Sequence, residues 1–199
     1  MNLCDIQEKV KKIFEKKYPG IYSINEITPN IFITSTNNIS VENLEVYGVR
    51  QILNFGTHYN SDICVNYKLD GKYSPLDLFK LSYDFCDKST RNNKRVLITC
   101  DSGMDICCTG VISFLLRRAY LLKFAQTQGN TEEVKELLDE KCLLINVCEM
   151  LKALRPCAEL SDYSINVLAV YEKMIKSWYK ELFENKSSTF LKILETPRV

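Results

Sequence analysis

Residues 96–116 read VLITCDSGMDICCTGVISFLL. The approach, RVLIT at 95–99, is a run of strand-forming residues. CDSGMDI at 100–106 is polar around Gly103, and CCTGVISFLLRRAYLL at 107–122 stays apolar over about four helical turns. The order predicted is strand, loop, buried helix. Such a turn aims several backbone N–H groups and the positive end of the helix dipole at one point, which suits an anion. A cysteine at the strand end, Cys100, would have its thiol pKa lowered by that field and could act as a nucleophile.

Outward from this segment the chain alternates helix and strand. Ile6, Val10, Ile13 and Phe14 fall at helical spacing, predicting an amphipathic helix over 5–17 that ends at Tyr18-Pro19-Gly20. IYSINEITPNIFITS (21–35) alternates apolar and polar residues around Thr28-Pro29-Asn30 and predicts a hairpin or two short strands. VENLEVYG (41–48) predicts a helix closed by Gly48, and VRQILNFG (49–56) a buried strand, so parallel pairing is expected. After a polar loop (57–62) and the run ICVNYKL (63–69), residues 70–75 have exposed-loop composition, residues 76–88 helical spacing, and STRNNK the character of a turn. Residues 123–141 read as a surface excursion with a new helix start near Thr131, and 142–154 and 162–183 as two further helices. A polar break, NKSST, and an apolar patch from Phe190 to Leu194 form the tail, 184–199.

The fold class expected is α/β, a central, mostly parallel, twisted sheet flanked by helices, in a single domain over 1–199 with its core at about 20–175. With 46% hydrophobic and 26% charged residues but only 5 prolines and 7 glycines, collagen-like and linker-dominated architectures are excluded. A formal net charge of +1 provides no long-range field for nucleic acid or an anionic membrane, so neither is expected as a partner. The cysteines number 9, an odd count without framework spacing, and read as reduced thiols. Charges run through the first 17 residues and no stretch reaches membrane-spanning length, which predicts a cytoplasmic or nuclear protein. Cys107 and Cys108 lack CxxC geometry and read as helix packing; with His58 the single histidine, neither a metal site nor a cofactor is expected.

The segment 96–116 resembles the signature segment of the dual-specificity protein phosphatases, in the cysteine-based protein tyrosine phosphatase superfamily, whose pattern is HCxxGxxR. Cys100 matches the nucleophile, Gly103 the loop glycine, and Thr109 with Val111 the start of the following helix. ITPNIFITS (27–35) is similar to the family's first hairpin, VYGVRQILNF (46–55) to its next helix and strand, and LRPCAELSDYSINVLAVYE (154–172) to its closing helices. The resemblance implies a tyrosine-phosphatase-like fold, a phosphate loop of Asp101, Ser102, Gly103, Met104, Asp105 and Ile106 after Cys100, and a general acid at Asp70.

Departures from the pattern carry as much weight. The family's arginine falls on Ile106, its usual small hydroxyl residue at 105 is Asp105, its histidine is Thr99, and the hydroxyl residue after the arginine is Cys107. A guanidinium grips two phosphoryl oxygens and stabilises transition-state charge, an effect worth roughly 10³–10⁵ in rate in related phosphoryl transfers. Isoleucine supplies none of it, and a carboxylate facing the loop would oppose a dianion. Arg117 and Arg118 lie too far along the helix to substitute and read as surface charges, while Arg155 is expected to end a helix away from the loop. The resemblance therefore implies a catalytically impaired or inactive pseudophosphatase that acts by binding or regulating a protein or phosphoprotein partner. The alternatives are a weak or atypical cysteine-dependent phosphatase and a redox-responsive thiol pair of Cys100 with Cys107 or Cys108.

Overall fold

Val96–Cys100 (β5) consists of five residues that are all buried, which a strand achieves only when both faces of its sheet are covered. The computed structural model describes residues 2–15, 23–67 and 74–185. In it, β5 lies between Ile31–Ser35 (β2) and Gln51–Asn54 (β3), parallel to both. Asn25–Thr28 (β1) pairs antiparallel with β2, and Cys64–Asn66 (β4) runs parallel to β3 on its far side. The order β1-β2-β5-β3-β4 is the mostly parallel sheet expected. In β2 all five residues are buried as well, so the polar positions predicted by alternation are interior.

Side chains of successive strand residues point to opposite faces, and this sorts the core into two clusters. Ile33, Leu53, Phe55 and Ile98 join the large cluster with the helices Leu3–Glu15 (α1), Pro75–Arg91 (α3), Ile106–Gln126 (α4), Leu143–Leu154 (α6) and Asp162–Glu184 (α7). Phe32, Ile52 and Leu97 join the smaller one with Leu44 of Val41–Val46 (α2) and with Val49. Full burial of Val96, Leu97 and Ile98 stabilises the centre by about 1.5–3 kcal/mol per side chain. In α4 every residue from Cys107 to Phe114 is buried, since α3, α6 and α7 all pack against this helix.

Three boundaries differ from the sequence reading. Ser89 is buried and donates to Gln51 Oε1 at 2.9 Å, so a polar residue is satisfied inside α3 and the helix runs on to Arg91. Residues 123–126 continue α4, and the segment 123–141 is not a surface excursion. It includes Thr131–Lys135 (α5) and a π-helical turn, Glu136–Glu140, and it buries Phe124, Val134, Leu137 and Leu138. Asn130, rather than Thr131, caps α5 by accepting from the N–H groups of Glu132 and Glu133. The expected helix end at Tyr18-Pro19-Gly20 and the tail beyond Asn185 lie outside the described residues. Among the described residues no helix is long and apolar enough to cross a membrane.

A buried carboxylate sets the position of α6. Glu172 on α7, 1% exposed, accepts from the N–H groups of Leu143 and Leu144 and from the Tyr120 hydroxyl, at 2.7, 3.1 and 2.8 Å. It thus satisfies two orphan amides at the start of α6 and complements the positive end of its dipole. The far end of α6 delivers Arg155.

Candidate functional site

The carboxyl ends of β2, β5, β3 and β4 open on one edge of the sheet, with Ser35, Cys100, Asn54 and Asn66 as their last residues. β5 occupies the slot between β2 and β3 that the chain first skips, and in open α/β sheets ligands bind outside the carboxyl ends at such a switch point. Cys100 stands there, 4% exposed, with α4 starting at Ile106. Asp101 and Ser102 are exposed, Met104, Asp105 and Ile106 half-buried, and Gly103 buried.

Gly103 makes the loop possible. Its φ is +68°, a left-handed conformation costly for other residues, and a Cβ there would sit 2.5 Å from Ser35 N and 2.8 Å from Arg155 Nη2. Ser102 Oγ accepts from Met104 N at 3.1 Å, and Gly103 N donates to Cys100 O at 3.1 Å. Two loop amides are therefore engaged within the loop itself.

The Cys100 thiol pKa is lowered from 9.0 to about 6. The largest cause is the hydrogen bond between the Cys100 and Cys107 thiols, whose sulfurs lie 3.1 Å apart; burial acts in the opposite direction, and N–H groups of Cys107 and Gly103 and the Ser102 hydroxyl reinforce the lowering. The Cys107 thiol is pushed well above its ordinary value, by burial first and then by its sulfur neighbours. The two shifts run in opposite directions, favouring ionisation of Cys100 over that of Cys107. The expectation that Cys107 merely packs is thus incomplete: it is fully buried, and it is also the hydrogen-bond partner of the Cys100 thiol.

Arg155 overturns its sequence reading outright. It is the last turn's cap on α6, fully buried, and it lies beneath the loop instead of away from it. Its Nε donates to Gly103 O at 2.7 Å, and Nη1 to Asn25 Oδ1 at 2.5 Å, Ser23 O at 3.1 Å and Ile33 O at 3.2 Å. Its Nη2 is buried without a partner among the described residues. The guanidinium fork that matches several acceptors at once here binds carbonyls, cross-linking the first hairpin to the loop. The cation sits behind Gly103. A signal was present in the sequence, since LKALRPCAEL holds a lone arginine among apolar residues.

The remaining positions fall as follows. Ile106 packs against the large apolar cluster. Asp105 precedes α4, where its Oδ1 accepts from the Thr109 hydroxyl at 3.4 Å, so the carboxylate is turned toward the helix. Asp101 Oδ1 accepts from Thr57 N at 2.5 Å and joins the loop after β3 to the loop after β5. The former is shaped by Asn54, a residue sequence reasoning passed over, which accepts from the Thr36 hydroxyl and Gly56 N and donates to Thr57 O and Asn66 Oδ1. Thr99, in the histidine position, is buried with its hydroxyl 3.4 Å from that of Thr36. Arg117 is not a free surface charge: its guanidinium lies 3.9 Å over the Tyr83 ring, and Arg118 pairs with Asp87 at 3.5 Å. Asp70, the expected general acid, lies outside the described residues. The nine cysteines are unpaired, and among the described residues no group of three or more His, Cys, Asp or Glu could hold a metal ion.

No protein-family model matches the chain. No curated protein matches it in sequence either. Solved structures do match. A leucine-rich-repeat and phosphatase domain containing protein from Entamoeba histolytica superposes with a TM-score of 0.60 at 20% identity, covering 79% of this chain and 95% of that one. Human DUSP28 gives 0.58 at 16% identity over 78% and 99% of the two chains. OH1 from the Orf virus, a tyrosine phosphatase, gives 0.58 at 9% identity over 87% and 99%. The chain therefore has the fold of the dual-specificity phosphatases within the cysteine-based tyrosine phosphatase superfamily.

Proposed function

We propose, from a dual-specificity-phosphatase fold whose loop carries isoleucine in place of arginine, that this protein is a pseudophosphatase that binds a protein or phosphoprotein partner and does not turn over phosphate esters. The observation that carries the reading is the placement of Ile106. It occupies the arginine position and, half-buried, packs against the apolar core, while the nearby guanidinium, Arg155, is committed to carbonyls behind the loop. Among the described residues a transferred phosphoryl group would meet backbone amides and the helix dipole but no bidentate donor at position 106, and electrostatic stabilisation by such donors is the main contribution the protein makes to this chemistry. The engagement of Gly103 N and Met104 N inside the loop supports the same reading.

One observation favours a second reading, a weak cysteine-dependent phosphatase: the Cys100 thiol pKa of about 6 makes a nucleophile at neutral pH. A single assay separates the two. Purified protein and its Cys100→Ser variant are offered an aryl phosphate and phosphopeptides; turnover that vanishes in the variant establishes the second reading and ends the first. Restoring the cation in Ile106→Arg, with Asp105→Ser, is expected to raise binding of inorganic phosphate by about tenfold or more, in line with the roughly 1.5–3 kcal/mol of a charge-assisted hydrogen bond. Unchanged phosphate binding would show that Ile106 is not what limits the loop.

A further inference from the structure

The edge of the sheet opposite Cys100 concentrates positive charge. Residues 88–95, KSTRNNKR, hold four cations and no carboxylate in a chain whose formal net charge is only +1. Lys88 and Arg91 have a local role at the carboxyl end of α3, where cations complement the helix dipole, and Arg91 also pairs with Asp87 at 2.7 Å. Arg50 and Arg95 belong to no helix end. They stand one position before the register pair Gln51 and Val96, and Arg50 N donates to Arg95 O at 2.9 Å, so the two arginines lie side by side at strand spacing, about 4.8 Å. Alternation along the strands puts both on the face of the smaller core cluster, two positions before Ile52 and Leu97. Like charges so placed repel, and the spacing is inside the ~8 Å screening length of physiological salt. Among the described residues no carboxylate relieves them: Arg50, Lys88, Lys94 and Arg95 are in no ion pair.

Arg95 is exposed and yet held. Its Nη1 donates to Tyr47 O at 3.0 Å and its guanidinium carbon stands 5.9 Å over the Phe32 ring. Val46, next to Tyr47 and 72% exposed, sets an apolar side chain beside the cations. We propose that Arg50, Lys94 and Arg95, with Val46, form a docking surface for an acidic peptide segment of a protein partner, at the end of the sheet remote from the loop at Cys100.

A planar fork of donors matches a carboxylate, and two forks held side by side match a run of acidic residues. The choice of a peptide over a polyanion follows from α2, where Glu42 and Glu45 are exposed near Val46. An anionic lipid surface or a nucleic acid backbone extends its charge past the arginines and meets these carboxylates. A peptide can set its acids on Arg50 and Arg95 and an apolar side chain on Val46, and such mixed demands are what give an interface its specificity. The five residues of β5, at ~3.3 Å each, separate this surface from Cys100 by about 16 Å, so a peptide bound there leaves the loop uncovered. Docking here rests on the reading of the chain as one that binds protein, and not on loss of turnover.

The experiment uses the whole chain and a fluorescein-labelled acidic peptide, GDEDLDEDG, followed by fluorescence anisotropy, with GKKKLKKKG as its charge-reversed control. The acidic peptide is expected to bind, the lysine peptide not to, and the affinity to fall as salt is added. Arg50→Glu should weaken binding by about tenfold or more, since a charge-assisted contact is replaced by a repulsion. The Arg50 side chain is exposed and makes no hydrogen bond among the described residues, so this variant keeps the fold, as an unchanged circular dichroism melt would verify. Val46→Ser should weaken binding severalfold. Lys9→Glu reverses an exposed cation on α1, shifts the net charge equally, and should leave the affinity unchanged. No binding up to about 1 mM peptide, or an equal loss in Lys9→Glu, would overturn the proposal. So would tighter, Arg50-dependent binding of phosphatidylserine vesicles or of an oligothymidylate, which would assign the patch to lipid or nucleic acid instead. Turnover in the aryl phosphate assay would end the pseudophosphatase reading and leave this binding result untouched, so the two fail separately.

Discussion

Replacing Arg155 by methionine removes a buried fork while keeping an unbranched apolar stem in the same space. The side chain donates to Gly103 O, Asn25 Oδ1, Ser23 O and Ile33 O. Gly103 O retains the Cys108 thiol. An unsatisfied buried acceptor costs about 1–3 kcal/mol, and removal of one partner from a buried charged arrangement about 3–5 kcal/mol. Against this stands a gain, since Arg155 is a fully buried cation whose acceptors, three backbone carbonyls and the Asn25 amide oxygen, are neutral, so its own desolvation is relieved. A net loss of about 3 kcal/mol is expected, equivalent to a fall of roughly 6–12 °C in Tm for a domain of this size, and the domain stays folded. The loop should loosen at the same time. With Gly103 N displaced, the Cys100 thiol pKa should rise from about 6 toward its ordinary 9.0. Thermal unfolding followed by circular dichroism gives the first number, and the pH profile of Cys100 alkylation, read by peptide mass spectrometry, gives the second. Arg155→Lys, which keeps the charge and loses the fork, should fall between wild type and Arg155→Met on both readouts. A Tm within about 1 °C of wild type, roughly 0.5 kcal/mol or less, with an unchanged alkylation profile would refute the claim that Arg155 holds the loop.

Two further outcomes are expected. Gly103→Ala places a methyl group against Ser35 N at 2.5 Å in a left-handed backbone; strain and overpacking together should cost about 2–5 kcal/mol, measurable as a shift of the urea midpoint, and a shift near zero would mean the loop can change its turn. Cys100 also links stability to pH. Its folded pKa, about 6, is below the ordinary 9.0, so its contribution is complete above about pH 9, declines on acidification, and is gone below about pH 6. The Tm difference between wild type and Cys100→Ser should shrink across that window, and a difference that stays constant from pH 9 to 6 would contradict a depressed thiol.

Local pattern and tertiary contact divided the work unevenly along this chain. The helix over Val41–Val46, its Ser40 cap, and the left-handed Gly48 after it follow from neighbouring residues, because capping and turn chemistry act over a few positions. The position of Cys100 at a strand end before a helix N-terminus was legible for the same reason. Boundaries failed where a distant residue intervened. The α3 terminus moves to Arg91 because Gln51, far away in sequence, accepts from Ser89. The 123–141 segment looks polar in one dimension, yet Phe124, Val134 and Leu138 find cover on the helical layer.

By itself the sequence determined the order of elements, the mostly parallel sheet, the loop from Cys100 to Ile106, and the absence of an arginine at its end. These are consequences of periodicity and of residue identity at one position. Only the tertiary structure decided what surrounds the loop. It brought Arg155 of α6 against Gly103, turned the Asp105 carboxylate toward Thr109, and set the sulfur of Cys107 at 3.1 Å from that of Cys100. The physical reason is that hydrogen bonding and desolvation depend on distances between groups, and a glycine with a left-handed turn can bring together what the sequence leaves 7 or 52 positions apart.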